Sequence, residues 1–105
     1  MKESDLMRAI QLEASKHGAR IFRNNLGVLQ DKNGRYVRYG VCNPGGADLI
    51  GFTKNGLFLA VEVKVGNAKL TEKQENFLDQ VNLAGGIGIC ARSVQDVVDK
   101  LTNSV

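Results

Sequence analysis

The run "LFLAVEVKV", residues 57–65, constrains this chain more than any other stretch, because a glutamate and a lysine, Glu62 and Lys64, interrupt an otherwise apolar strand. A strand this hydrophobic belongs in a core, and burying two charges there is costly unless something compensates them. Side chains two apart on a strand share a face. Glu62 and Lys64 therefore lie together, protruding from the edge of a buried sheet, while Val61, Val63 and Val65 point the other way into the core.

The segment before this strand supplies a third charge. "ADLIGF" reads as a strand, and the Asn55-Gly56 pair in "TKNG" is a hairpin signal that lays the two strands antiparallel. Asp48 stands seven residues before Asn55 and Glu62 six after Gly56, so the register brings the two carboxylates and the Lys64 ammonium into one cluster. Two carboxylates repel, and both stay ionised when a divalent cation sits between them. Mg²⁺ favours a few carboxylates plus waters and phosphate oxygens. An ion so held lowers the pKa of bound water and neutralises charge on a phosphate, with Lys64 placed to position or help deprotonate that water. The plainer alternative is a Glu62–Lys64 surface ion pair on an edge strand, with Asp48 merely opening its own. Gly45-Gly46, which permits close backbone approach ahead of Asp48, favours the cluster.

The rest of the chain supplies the frame. Ser4 caps a first helix that runs with a loose apolar period to Gly18. "ARIFRNNLGVLQ" reads as one strand, turned at "DKNG" into a second run, "RYVRYGVC", to give a hairpin at Asn33-Gly34. "NPGG" breaks the chain. After the hairpin of Asp48 and Glu62, "LTEKQENFLDQVNLAG" is a helix with a capping box, Thr71 and Gln74, stopped by Gly85-Gly86. "IGICA" is a short buried strand, and "SVQDVVDKLT" a closing helix capped by Ser93. The order α-β-β-β-β-α-β-α describes a single α/β domain over residues 1–105, a mixed sheet flanked by helices.

No stretch approaches the ~20 apolar residues of a membrane span and no secretory pattern opens the chain, so the expectation is a cytoplasmic protein with no membrane partner. Cys42 and Cys90 each lie in an apolar run and read as reduced core residues. One histidine and no paired cysteines offer no zinc pattern. Lys16, Arg20, Arg23, Lys32, Arg35 and Arg38 crowd into 23 residues with Tyr36 and Tyr39 among them and Asp31 as the sole acid. That segment is either a solvated basic face or a surface that tracks nucleic-acid phosphates.

Asp48 followed, after thirteen residues, by Glu62-Val63-Lys64 resembles the D…(D/E)-x-K signature of the PD-(D/E)xK nuclease superfamily. "ESDLMRAIQLEASKHGARIFRNNLG", "GGADLIGF", "AVEVKVGNAKLTEKQENFLDQVNLAGG" and "ARSVQDV" narrow the resemblance to a phage-type VRR-NUC domain, the virus-type replication-repair nuclease, over about residues 3–98. The resemblance implies a restriction-endonuclease-like αβββαβ core, Mg²⁺ or Mn²⁺ as cofactor, and hydrolysis of DNA phosphodiesters. It places Asp48, Glu62 and the Val63 backbone carbonyl on the metal and gives Lys64 the water. A first-helix glutamate completes such sites through a water; Glu3 and Glu13 are both candidates, and Glu3 sits where the family's acid falls. Gln74 matches a helical glutamine of the family, although its capping role is a full structural explanation by itself. Arg23, Asn24 and Asn25 match an "RNN" segment that contacts the scissile phosphate or the active-site water, or else satisfy backbone at a strand end. With Arg20, Lys32, Arg35 and Arg38 they form the expected nucleic-acid surface. His17 reads as the last turn of the first helix. Ala47 stands where the superfamily's name expects proline, and no ligand is lost by it.

One 105-residue unit grips little DNA, so a homodimer presenting two sites is expected, and the resemblance points to branched DNA such as four-way junctions, in a bacterial host cell if the chain is phage-encoded. A nuclease of the same chemistry acting on flaps or ends is the alternative, and a nucleic-acid-binding module without cleavage is the rival class.

Overall fold

The structure is a computed structural model that describes residues 1–103. Its elements are α1 (Glu3–Lys16), β1 (Arg20–Arg23), β2 (Gly27–Gln30), β3 (Tyr36–Tyr39), β4 (Leu49–Phe52), β5 (Phe58–Val63), α2 (Glu72–Leu83), β6 (Ile87–Ala91) and α3 (Val94–Asn103). Four strands form one sheet in the order β1-β4-β5-β6, antiparallel at the first two pairings and parallel at the last. The parallel pair β5–β6 requires a crossover, and α2 supplies it. α1, β1, β4, β5, α2 and β6 make the expected αβββαβ core; α3 follows it, and β2 with β3 form a separate two-stranded arm.

β5 carries the longest apolar run because it has cover on both faces. Leu59, Val61 and Val63 pack with Leu6, Met7, Ile10 and Ala14 of α1 and Val97 of α3. Ala60 packs with Leu78 and Val81 of α2, beside Ile50, Phe77 and Cys90. β5 is thus an interior strand between β4 and β6, and Glu62, only 3% exposed, stands on its α2 side rather than protruding from an edge. The surface ion pair on an edge strand is excluded by the same facts.

Three local expectations are corrected. The run 19–30 is not one strand: β1 joins the main sheet, pairing with β4, and the chain leaves that sheet at Asn24–Leu26 before β2 begins. Alternating polarity reports that a segment is extended; it does not report which sheet the segment joins. Ser4 is not the cap of α1, which begins at Glu3 with Lys2 as an N-cap that makes no side-chain bond. Neither cysteine is a fully buried core residue. Both are free thiols, Cys90 half-buried under α2 and Cys42 exposed, because "GVC" turns out of β3 through Gly40 and Cys42 in left-handed conformations (φ 97° and 57°).

The two Asn-Gly turns form as expected. Gly34 and Gly56 take φ near 80°, and each amide closes a turn onto the carbonyl three residues earlier. α2 carries the complete Thr71–Gln74 capping box, and Ser93 Oγ accepts the Asp96 N–H at the start of α3. The molecule measures 48 × 31 × 23 Å, with a Cα radius of gyration of 14.2 Å against about 13 Å for a compact chain of this length.

Candidate active site

Continuing the β4–β5 register one pair beyond Leu49–Val61 sets Asp48 opposite Glu62. Each carboxylate accepts a backbone N–H from the partner strand. The Asp48 N–H donates to Glu62 Oε1 at 3.1 Å, and the Val63 N–H donates to Asp48 Oδ2 at 2.9 Å. Lys64 Nζ lies 3.3 Å from Glu62 Oε2, and its side chain is only 15% exposed. Asp48 Oδ1 is engaged in neither backbone bond. This is a built arrangement, in which each carboxylate is oriented by the amide that its partner strand would otherwise leave open.

Its electrostatics are out of balance. Burial pushes the Glu62 carboxyl up to about 7, the Asp48 charge pushes the same way, and Lys64 only partly offsets them. A pocket with two carboxylates and one ammonium lacks positive charge. The donors present are carboxylate oxygens, the chemistry that suits Mg²⁺ or Mn²⁺. Among the described residues no three His, Cys, Asp or Glu side chains gather closely enough to cage a metal, so a bound ion would keep several waters. The residues present fit such an ion.

The loop that delivers Asp48 is fastened by a residue distant in sequence. Asn24 Nδ2 donates to the carbonyls of Val41 and Ala47, both at 3.0 Å, and Asn24 Oδ1 accepts the Val41 N–H at 2.8 Å. The Asn24 N–H extends the β1–β4 pairing to the Asp48 carbonyl. Gly46 is buried beneath this staple, where a Cβ would stand 2.1 Å from the Val41 carbonyl oxygen. Asn24, expected on DNA, is thereby committed through its amide to holding the loop.

Asp48 opens onto a cleft of about 620 Å³ bordered also by Met7, Arg23, Asn24, Asn25, Leu26 and Tyr39. Arg23 and Asn25 are exposed there. Glu3 lies one helical turn before Met7 on the same side of α1, which brings the start of the helix toward the cleft. Glu13 lies about 15 Å further along the axis. It pairs with Lys16 at 3.3 Å and with His17 at 3.8 Å. His17 in turn borders a separate cavity with Thr53, Lys54 and Asn55, at the turn end of the β4–β5 pair. Glu3 is exposed at the start of α1 and does not border the cleft. Gln74 Oε1 accepts the Thr71 N–H at 3.0 Å, so its capping role is fully realised.

The basic residues separate into three places. Arg23 is at the cleft; Lys32, Arg35 and Arg38 are exposed on the β2–β3 arm. Arg20, opposite Phe52, donates to the carbonyls of Ser15 and Ala19 at the far end of the sheet. Sequence reasoning missed Tyr39 as a cleft residue and Asn43 as a clamp, whose Nδ2 donates to the Gly27 and Tyr39 carbonyls, both at 2.8 Å. No local pattern marks either role; only the crossing of the arm's base over the Asp48 loop creates them.

A mixed four-stranded sheet in an αβββαβ frame thus gathers Asp, Glu and Lys at the paired ends of its second and third strands. The VRR-NUC domain family matches residues 2–95, and the chain belongs to that family. A solved structure described as a VRR_NUC domain shares the fold, with a TM-score of 0.63 and 19% identity over 95% of this chain and 94% of its own. The chain matches no curated protein.

Proposed function

We propose that this protein is a divalent-metal-dependent DNA endonuclease. The observation that carries the reading is the reciprocal bonding of Asp48 and Glu62 to each other's strand, with Lys64 against the buried carboxylate. Asp48, Glu62 and the Val63 carbonyl would hold Mg²⁺ or Mn²⁺, with Glu3 reaching it through a water. When bound, the ion supplies Lewis-acid activation of water and neutralises charge on the phosphate. Lys64, released from Glu62, would hold the attacking water with its ammonium and stabilise charge developing on the phosphate, the water's proton passing to bulk solvent. The water oxygen bonds to phosphorus in line as the bond to the 3′ oxygen breaks. The 3′ oxygen gains a proton to leave as a hydroxyl, and the phosphate stays on the 5′ end. Arg23 and Asn25 face the phosphate from the cleft wall, and Asn24 and Gly46 keep Asp48 in register.

The substrate we infer is branched DNA, cut by a homodimer. Phe22, Phe52 and Phe58 support the dimer: they are 58%, 47% and 42% exposed, on the α2 side of the sheet where that helix does not reach β1 and β4. Arg20 stands among these rings, opposite Phe52, and an aromatic face of this kind suits a second copy of the chain; a two-fold dimer would present two clefts. Cleavage of junction, flap, nicked and linear DNA with Mg²⁺, alongside gel filtration, tests the reading. Junction cutting by a dimer, with cutting abolished in Asp48→Ala and Lys64→Ala while DNA binding persists, is the expected result. Equal cutting of all four substrates or a strict monomer overturns the junction assignment, and metal-independent or absent cleavage overturns the enzyme.

A further inference from the structure

The β2–β3 arm departs from what an exposed hairpin ordinarily shows. Its base is rigid, pinned by the two Asn43 bonds to Gly27 and Tyr39, yet its strand side chains are exposed. Val28, Leu29, Tyr36, Val37 and Tyr39 are between 43% and 78% exposed. Five large apolar side chains on so short an element mark a surface that something covers. Lys32, Arg35 and Arg38 stand among them, and the only acid, Asp31, has its Oδ1 tied to the Asn33 and Arg35 N–H groups of the turn. Cations interleaved with aromatic rings fit a polyanion that has faces to stack, and they oppose the approach of a second, equally basic arm.

The register fixes which side meets the cleft. Gly27 pairs with Tyr39 and Leu29 with Val37, so Leu29, Val37 and Tyr39 share one face, and Tyr39 borders the cleft that holds Asp48. The Tyr39 ring lies across Gly27, where a Cβ would fall 2.1 Å from its Oη and 2.2 Å from Cζ. Gly27 thus leaves the ring room to lie flat at the cleft mouth.

Building on the nuclease reading, we infer that Tyr39 is a stacking platform for an unpaired nucleobase beside the phosphate to be cut, with the basic arm tracking the strand onward. A paired base presents no open face to the ring; a base at a bulge, branch or flap does. The arm therefore selects DNA by the presence of an unstacked nucleotide rather than by sequence.

The test is fluorescence anisotropy in EDTA, comparing a duplex carrying a three-nucleotide bulge with the same duplex fully paired. The expected result is about tenfold tighter binding of the bulged duplex by the wild type, the size of one base–aromatic stack. Tyr39→Phe keeps that preference. Tyr39→Leu removes it without weakening binding to paired DNA, and so does Gly27→Ala, which displaces the ring while leaving Tyr39 in place. Tyr39 is 43% exposed, so its variants fold, and thermal unfolding checks that Gly27→Ala does too. A preference that survives Tyr39→Leu overturns the inference, as does a wild type that cleaves DNA with Mg²⁺ but binds both duplexes equally. A Tyr39→Leu chain that falls from dimer to monomer in sedimentation shows instead that a second copy covers the arm. A wild type that neither binds nor cleaves DNA overturns the nuclease reading itself.

Discussion

At one end of the β4–β5 pair, Thr53 to Leu57 close the strands by local bonds alone. The Thr53 N–H donates to the Leu57 carbonyl, the Leu57 N–H to Thr53 Oγ1, and Gly56 turns in the left-handed region with nothing near its α-carbon. At the other end, Asp48 and Glu62 are held by bonds across the sheet, Lys64 is drawn in against a buried carboxylate, and the loop before Asp48 is stapled from Asn24. The same two strands thus end once in a turn that any hairpin would use and once in an arrangement that raises the cost of folding. Local rules broken at one end and kept at the other mark the Asp48 end as the candidate site.

That contrast is sharpest in its pH dependence. The Glu62 carboxyl keeps its proton up to about pH 7 in the folded chain and loses it near 4.5 when unfolded, so between these values the folded state binds more protons. Its contribution to stability therefore falls as pH rises from 4.5 to 7 and is level above, by an amount on the order of 3 kcal/mol. Urea unfolding of the metal-free protein across this window, compared with Glu62→Gln, checks it: the wild type loses stability relative to the variant as pH rises. Mg²⁺ reverses the trend by holding the carboxylate ionised. No difference between the two chains would place Glu62 in a balanced environment and erase the contrast.

Glycine substitutions break the comparison from the backbone side. Gly46→Ala drives a methyl into the Val41 carbonyl oxygen and costs about 1–3 kcal/mol, with loss of cleavage as the Asp48 loop shifts. Gly56→Ala meets open space and costs only the left-handed strain, about 1 kcal/mol, with cleavage unchanged. Thermal unfolding and a cleavage assay on both variants separate the two ends; equal loss of activity would show that the hairpin acts as one unit.

Much of this was legible in the chain itself. The Asn55-Gly56 signal marked the hairpin and brought Asp48 near Glu62, but a strict two-residue turn would pair Asp48 with Val63; the loop closes over Lys54, Asn55 and Gly56, and this sets Asp48 opposite Glu62. The capping box of α2 was readable because it depends on neighbours in sequence, while the αβββαβ core came with the family resemblance. What could not be read depends on neighbours in space. The split of residues 19–30 between two sheets, the capture of Asn24 by the Val41 and Ala47 carbonyls, and Tyr39 at the cleft all follow from the arm's base crossing the Asp48 loop. Cys42 misled because an apolar run looks alike in a strand and in an exposed turn. Glu3 and Glu13 sit on one helix, and no sequence pattern tells them apart.

The central claim, that the paired ends of β4 and β5 clasp a divalent ion, is tested most directly by soaking crystals with Mn²⁺ and recording its anomalous signal. The account predicts one peak within coordination distance of Asp48 and Glu62, with Lys64 Nζ withdrawn from Glu62 Oε2, and no such peak in Asp48→Asn crystals. A peak elsewhere, or none while Lys64 keeps its 3.3 Å contact, would contradict it.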